Sequence, residues 1–299
     1  MFNKETKNLF LIGLTTDTLR QTYASIFNRT EDFEQQLNKD ILDFSIKECM
    51  ELLASLNPKS VGHIGVLKSQ LNKYAEWGIE NNTTTAKNNW AIIGIDENIA
   101  KFSFRTRYVK DIQELIHVVD TGISAIYDKY LLYLLYMGIM GENCEEISLL
   151  KDSDVDKMQG TITTIRRKYN KIIEPLHELI IKDEYFEERR QRDKESPYFI
   201  KPFKSKKLHG KPVGIQYFYR AFLKLNNNYF NETNDKKFFT PTTIWRSGLY
   251  YSLYRIEQVK NSLVNHDYFE VCEVYGKESR GIVDLSKEYD LYKEVFWQD

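Results

Sequence analysis

An arginine lies near the start of a predicted helix, within the stretch TPTTIWRSG at residues 240–248. Its planar guanidinium can bind two phosphate oxygens at once, and it keeps its charge in proteins. Proline is accepted in the first turn of a helix, so the sequence predicts a helix that begins at Pro241 and contains Arg246. Three interpretations of Arg246 stay open at this point: a catalytic arginine, a clamp for a DNA phosphate, or an ordinary helix residue paired with an acid.

Positive charge is concentrated in short segments of the chain. The 299 residues include 42 Lys and Arg against 43 Asp and Glu, a net charge of −1, which by itself argues against a nucleic-acid-binding protein. Segregated charge can still give a nearly neutral protein one positive face, and no acid interrupts residues 166–171 or 201–211. Solvated basic loops are the competing interpretation. The residues predicted to contact DNA are Lys59, Ser60, His63, Lys68, Lys73, Arg105, Arg107, Arg166, Arg167, Lys168, Lys171, Lys204, Lys206, Lys207 and Arg246.

Composition indicates a globular protein, because hydrophobic residues make up 42% and charged residues 28% of the chain. Three widely spaced cysteines and five histidines show no metal-ligand spacing, so we expect reduced thiols, no metal and no cofactor. No segment reaches the roughly 18 apolar residues of a membrane span, and the N-terminus lacks the features of a signal peptide. The sequence therefore predicts a cytoplasmic protein that does not bind membranes.

The pattern of apolar residues predicts two domains. Residues 17–82 have helical periodicity, with a new helix starting after Asn57-Pro58. Polar residues follow, so we place a helical domain at 1–90, a linker at 91–110 and a second domain at 111–299. We predict the second domain to be mainly helical with one small sheet.

Within the second domain, Ala125–Met140 is apolar on most sides and is predicted to be its central helix. Residues 160–176 are predicted to form a β-hairpin whose tip is the polar run Lys168–Lys171. Gly214–Lys224 is predicted to be helical and Asn226–Lys237 to be a polar loop. A second helix follows Pro241.

This order of parts resembles the tyrosine recombinases, or phage integrases, from about residue 20 to residue 280. The most specific stretch is GENCEEISLLKDSDVD at residues 141–156, whose acidic and apolar positions match the family in spacing. The resemblance implies a mainly α fold with a small β-sheet. A helical core-binding (SAM-like) domain would be followed by a tyrosine-recombinase catalytic-like α+β domain.

The family's catalytic positions carry over one at a time. Asn143 stands where the family has its first arginine, or Met140 in a shifted register, and no arginine occurs between Arg107 and Arg166. Lys168, or alternatively Lys171, resembles the hairpin lysine. In TTIWR, Arg246 matches the second arginine and Thr243 replaces a histidine. His266 and Tyr275 keep the family's nine-residue interval between its later histidine and the nucleophilic tyrosine, although Tyr268, Tyr289 and Tyr292 are alternatives.

These replacements argue against strand cleavage. The family's tyrosine attacks a DNA phosphate without a metal, so arginines must offset the charge that builds on phosphate oxygens. By analogy with arginine fingers, the loss of one such group costs roughly 10³-fold in rate, and the loss of a general acid or base costs about 10²-fold more. The six positions, Asn143, Lys168, Thr243, Arg246, His266 and Tyr275, are therefore predicted to be vestigial.

A recombinase scaffold without its catalytic set resembles the SPbeta-type, MrpR-like family of phage lytic-cycle repressors. That resemblance implies a sequence-specific repressor of double-stranded phage DNA in the bacterial host cell, associated with the nucleoid, that maintains lysogeny and is not an enzyme. Its further partners would be a second copy of the same protein or an antirepressor protein. Two alternatives stay open: an active, divergent recombinase, and a helical protein-interaction adaptor.

Overall fold

A computed structural model describes residues 1–56, 61–94, 97–164, 168–169, 171–182, 192–204, 209–233, 237–277 and 282–297. The chain divides by its internal contacts into two compact units, Met1–Phe104 and Arg105–Asp299. Among the described residues, no helix is long and apolar enough to cross a membrane. Cys49, Cys144 and Cys272 are buried free thiols.

The first unit is built from helices around an aromatic core. The rings of Phe10, Phe27 and Tyr74 meet edge to face, with Tyr74 4.8 Å from Phe27 and 5.1 Å from Phe10 between ring centroids. A 3₁₀ turn at Ile41–Asp43 separates two of the helices. The helices are α1 (Lys4–Gly13), α2 (Asp17–Leu37), α3 (Ile46–Ser55), α4 (Val61–Glu80), α5 (Asn89–Ile92) and α6 (Glu97–Arg105).

Local sequence signals explain where several of these helices begin. The Thr16 side chain accepts a hydrogen bond from the backbone of Leu19 at the start of α2. Ser45 and Glu48 form a reciprocal capping box at the start of α3. Such caps satisfy backbone donors that have no partner inside the helix. Within the range 17–82 that was predicted to be helical, α-helices occupy Asp17–Leu37, Ile46–Ser55 and Val61–Glu80, and residues 57–60 lie outside the described residues.

The second unit places one apolar helix at its centre. Helix α8 is buried along its length except at Lys129, and α12 packs against it. Helices α13 and α14 pack in turn against α12. The predicted central position of this helix is confirmed. The helices are α7 (Ile112–Gly122), α8 (Ile126–Tyr136), α9 (Glu145–Leu149), α10 (Glu174–Lys182), α11 (Ile215–Thr233), α12 (Pro241–Lys260), α13 (Asn265–Tyr275) and α14 (Ile282–Trp297).

Helix α8 ends earlier than the sequence predicts, at Tyr136 rather than Met140. Gly138 adopts a φ of 93°, in the left-handed region that glycine tolerates best. The backbone N–H of Ile139 donates to the oxygen of Leu134, which closes the helix end. The apolar run that continues past Gly138 is therefore a buried turn.

The predicted hairpin exists, but its tip lies elsewhere. Strands β1 (Val155–Asp156), β2 (Thr161–Thr163) and β3 (Lys168–Tyr169) form an antiparallel sheet in that order. Lys168 and Tyr169 pair with Thr163 and Ile162 as part of the sheet, so the prediction of a hairpin tip at Lys168–Lys171 is wrong. Buried Ile162 fixes the register of β2, because a shift by one residue would turn its side chain to the other face of the sheet.

Helix α11 runs through part of the segment predicted to be a loop, so that prediction is wrong for Asn226–Thr233. Asn226 is buried and exchanges two hydrogen bonds with the backbone of Phe239, at 2.9 and 2.8 Å. Tyr229 is also buried and packs edge to face on Phe239. Tertiary contacts thus outweigh the low helix propensity of asparagine.

The predicted domain limits stay predictions. The division of the chain by contacts falls between Phe104 and Arg105. Helix α6, at Glu97–Arg105, lies within the predicted linker of residues 91–110.

Candidate phosphate-binding site on helix α12

Arg246 is held near the start of α12 by a well-formed helix N-terminus. Thr240 caps the helix, and its side chain accepts a hydrogen bond from the backbone of Thr243 at 3.2 Å. Pro241 occupies the first turn, where its missing N–H costs nothing. Arg246 therefore lies in the second turn of α12, a helix that packs against α8, α13 and α14.

The guanidinium of Arg246 is already paired. Its Nη1 lies 2.9 Å from Oε2 of Glu288 on α14. The hydroxyl of Tyr250 donates to the same carboxylate oxygen at 2.8 Å and accepts from Nη1 at 3.4 Å. The side chains of Arg246 and Glu288 are 22% and 15% exposed. Arg246 thus matches the interpretation of a helix residue paired with an acid, while keeping an open edge toward solvent.

Electrostatics keep this arginine charged and Tyr250 neutral. Burial alone would lower the pKa of Arg246, but Tyr250, Tyr108 and Glu288 together raise it above its ordinary value. Burial raises the pKa of Tyr250 well above its ordinary value, with a further contribution from Tyr108. The phenol is therefore a neutral hydrogen-bond donor beside a permanent cation.

Lys277 is a cation just after α13 that the sequence interpretation did not include. It follows Gly276, which caps α13 in the left-handed conformation, and it is half-buried. Burial lowers the pKa of Lys277, the charge of Glu288 raises it and the charge of Arg246 lowers it further.

Tyr275 is directed elsewhere. It is 5% exposed, and its hydroxyl donates to the backbone oxygen of Tyr136 at 2.7 Å and lies 3.2 Å from Oγ of Ser252. Residues of a helix turn by about 100° each, so Ser252 faces away from the side of α12 that carries Arg246 and Tyr250. The Tyr275 hydroxyl and the Arg246 guanidinium therefore lie on different sides of α12.

Three other positions that the sequence predicts to be vestigial are not brought to Arg246. Asn143 is exposed, has a φ of 51° and lines a shallow cleft beside Val213 and Ile215. Thr243 is 1% exposed and its hydroxyl donates to the backbone oxygen of Thr240 at 3.0 Å. His266 is exposed and its Nε2 lies 3.1 Å from Oε1 of Glu270. No described hydrogen bond or ion pair joins these three residues to Arg246.

The predicted DNA contacts on α4 do not share one face. His63, Lys68 and Lys73 are five residues apart, which rotates each about 140° from the one before it. Lys73 is exposed, and the other two are half-buried. Lys59 and Ser60 lie outside the described residues. His63, Lys68 and Lys73 therefore project from three different sides of α4.

In the second unit, several predicted contacts lie at the surface. Lys171, Lys204 and Arg105 are exposed, and the half-buried Arg107 has its guanidinium 5.8 Å from the ring centroid of Tyr108. For Lys168 only the strand position is described. The predicted contacts that lie outside the described residues are Arg166, Arg167, Lys206 and Lys207.

Two family models match this chain and together cover both units. A model described as the MrpR N-terminal core-binding domain matches residues 1–80, and one described as the MrpR C-terminal catalytic domain matches residues 110–290. The chain belongs to the MrpR family. The resemblance to the MrpR family is thereby confirmed, as is the predicted order of a helical core-binding domain followed by a mainly helical domain of the catalytic type with a small sheet.

Individual relatives of this MrpR-family chain are distant. The SPbeta prophage-derived uncharacterized protein YopR of Bacillus subtilis (strain 168) is 24% identical over 295 residues, covering 92% of this chain and 89% of YopR. The crystal structure of XerA recombinase is similar with a TM-score of 0.45 and 14% identity, over 99% of this chain and 97% of XerA. The Tn1549 transposon integrase in complex with circular intermediate DNA has a TM-score of 0.39 and 14% identity, over 98% of this chain and 94% of that chain.

Proposed function

We propose that this MrpR-family protein is a sequence-specific double-stranded DNA-binding repressor that keeps a prophage silent and does not cleave DNA. The observation that carries the proposal is the separation of two side chains on different sides of α12. A charged, partly exposed arginine is retained at the phosphate-binding position, whereas the candidate nucleophile Tyr275 is buried on another side of the helix. Binding and cleavage are thus uncoupled in this scaffold.

Phosphate binding is supported by the chemistry of the retained cations. Arg246 presents a planar fork of donors, and its side chain is partly exposed. Exposed Lys171 and Lys204 extend positive charge over the same unit. Phosphate contacts fix the position of a protein on the duplex, and side chains in the grooves then select the sequence.

The lack of cleavage is supported by what stands at the other catalytic positions. Asn143 offers a neutral amide instead of a guanidinium, and the hydroxyl of Thr243 is used to cap its own helix. His266 is exposed and pairs with Glu270, and no described hydrogen bond or ion pair joins it to Arg246.

Repression of a prophage is supported by the kinship of the chain. The MrpR family match covers most of the catalytic-like domain, and the YopR relative is prophage-derived. On this proposal the protein acts on phage operators in the cytoplasm of a bacterial host, where it associates with the nucleoid. Self-association or an antirepressor protein would adjust its occupancy of those sites.

A mobility-shift screen against fragments of the parent phage genome, followed by footprinting, tests the proposal. We expect retardation of a small set of fragments, with a log–log salt slope near −5 if about six phosphates are contacted. Loss of retardation on Arg246→Gln, with an unchanged melting temperature, would support the phosphate role. Absence of salt-dependent retardation of every fragment would refute the proposal.

One observation favours the second candidate function, an active recombinase. A cleft of about 650 Å³ is lined by Tyr275 together with Lys171 and Arg255, which places a tyrosine near two cations. A nicked suicide DNA substrate decides between the two functions. A covalent protein–DNA adduct that disappears on Tyr275→Phe would establish cleavage, whereas retardation without any adduct supports the repressor.

A further inference from the structure

The carboxylate of Glu288 occupies the position next to Arg246 that a bound phosphate would take. One oxygen of its carboxylate, Oε2, lies 2.9 Å from Nη1 of Arg246 and accepts the Tyr250 hydroxyl at 2.8 Å. Glu288 belongs to α14, whereas its two partners are one turn apart on α12. The carboxylate therefore uses the same donors that a phosphate oxygen bound by Arg246 would need.

A phosphate and this carboxylate cannot both bind the same donors without strong repulsion. Both are anions, and two like charges within a few ångströms repel each other strongly where water is partly excluded. Arg246 and Glu288 are mostly buried, so solvent screens them less than it screens a surface pair. Entry of a phosphate therefore requires the Glu288 side chain to move off Arg246.

The Arg246 side chain can be reached from solvent. It is 22% exposed, so a phosphodiester can approach the guanidinium once Glu288 has moved away. Removal of the carboxylate would release the guanidinium for that phosphodiester.

We propose that Glu288 is an internal competitor for the DNA phosphate that Arg246 binds, so that α14 sets DNA affinity by holding or releasing the guanidinium. This inference rests on the proposed function and names a specificity-determining residue at the same site. The occupant that displaces Glu288 is a phosphodiester of the DNA backbone. Glu288 thus lowers affinity for all DNA, and only a duplex with enough other contacts overcomes it.

The variant Glu288→Gln tests the competition, because glutamine keeps the size of the side chain and an acceptor for Tyr250 but loses the charge. The matched control is Glu257→Gln. Glu257 also joins α12 to α14, accepting from the hydroxyl of Tyr289 at 2.6 Å and from Nζ of Lys293 at 2.8 Å. Both variants therefore remove one negative charge from a tyrosine–cation pair in the same helix interface, and only one of them touches Arg246.

Affinity for a fluorescent mixed-sequence duplex is measured by anisotropy across a salt series. We expect Glu288→Gln to bind roughly tenfold more tightly at low salt, with a salt slope steeper by about 0.9, the value of one added phosphate contact. Glu257→Gln should change affinity by less than about twofold. Glu288→Ala should also tighten binding, which guards against a defect particular to glutamine.

A double-mutant cycle assigns the gain to Arg246. In an Arg246→Gln background the Glu288→Gln change should have no effect on affinity, because the guanidinium for which Glu288 and the phosphate compete is absent. A gain that persists in that background, or that Glu257→Gln reproduces, would overturn the inference as a general charge effect. Weaker binding by both Glu288 variants at unchanged melting temperature would overturn it too, because it would show that Glu288 positions Arg246.

A second readout separates this inference from the proposed function. The melting temperature of each protein is measured with and without inorganic pyrophosphate. This anion can bind to the Arg246 site even if the protein does not bind a DNA duplex. If wild type binds no DNA, the proposed function fails; a larger pyrophosphate shift for Glu288→Gln that vanishes on Arg246→Gln would still support the competition. If wild type binds DNA and Glu288→Gln changes neither affinity nor the pyrophosphate shift, the inference fails alone.

Discussion

The hydroxyl of Tyr275 donates a hydrogen bond of 2.7 Å to the backbone oxygen of Tyr136, at the end of the central helix α8. This bond joins α13 to α8 across α12, and the ring of Tyr275 also packs edge to face on Trp245 at 5.7 Å between centroids. A tyrosine that attacked DNA would have to give up this partner. Its position is that of a structural aromatic with a satisfied hydroxyl.

Removal of that hydroxyl should therefore cost stability and not DNA affinity. In Tyr275→Phe the buried oxygen of Tyr136 loses its donor, at a cost of about 1–2 kcal/mol in the free energy of unfolding. Urea unfolding measures the loss, with Tyr219→Phe as a control because Tyr219 is 59% exposed. A Tyr275→Phe protein with wild-type stability and reduced DNA binding would contradict this role.

Gly248 lets α12 approach α8 closely, so its replacement should be severe. A Cβ at this position would lie 1.9 Å from the backbone oxygen of Tyr136 and 2.8 Å from the Tyr275 hydroxyl. Backbone cannot move aside cheaply, and we expect Gly248→Ala to lose roughly 3 kcal/mol or more. Thermal melting of Gly248→Ala against Gly214→Ala checks this, because a Cβ at Gly214 meets nothing within 4 Å. Equal melting temperatures would disprove the close approach.

The buried pair of Lys7 and Glu34 should make stability depend on pH. Both side chains are fully buried, with Nζ 2.6 Å from Oε1. Burial raises the pKa of Glu34 to about 7, against the opposing effect of Lys7. The folded pKa lies above the unfolded one, so this contribution is complete below the unfolded pKa and is lost as pH rises through about 7.

We therefore expect this carboxyl to lower the free energy of unfolding between about pH 4.5 and about pH 7, by at most roughly 3 kcal/mol. Unfolding of wild type and Glu34→Gln across that range isolates the effect, because glutamine does not titrate. Glu80→Gln, an exposed site on α4, controls for the loss of one charge. Parallel pH profiles of wild type and Glu34→Gln would show that Glu34 does not titrate in this range.

Much of the fold could be predicted because its signals are local. Thr240 and Pro241 mark the start of α12, and the run of apolar residues after Ala125 marks a central helix. The hairpin register and the length of α11 could not be predicted, because they depend on buried partners distant in sequence. Phe239, which binds Asn226, is the clearest case.

The site divides in the same way. Arg246 was identifiable, since its position follows from the helix start and from spacing. Glu288 was not, because its relation to Arg246 arises only when α14 folds back on α12. Spacing instead favoured His266 and Tyr275, which match an interval in sequence but face other partners.

Lys171 provides a test of the proposed DNA surface that is independent of Arg246. Lys171 comes shortly after β3 and its side chain is exposed. Lys182 on α10 is also exposed, but it is paired with Glu178 at 3.0 Å. A lysine that neutralises a DNA phosphate releases about one counterion, so Lys171→Gln should flatten the log–log salt slope by about 0.9. The loss of affinity should be similar for all sequences, because phosphate contacts carry no sequence information. Lys182→Gln should leave the slope unchanged, since its charge is already balanced by Glu178. Equal slopes for the two variants would place Lys171 outside the DNA contact, and the contacts would then have to come from Arg246 and the other cations.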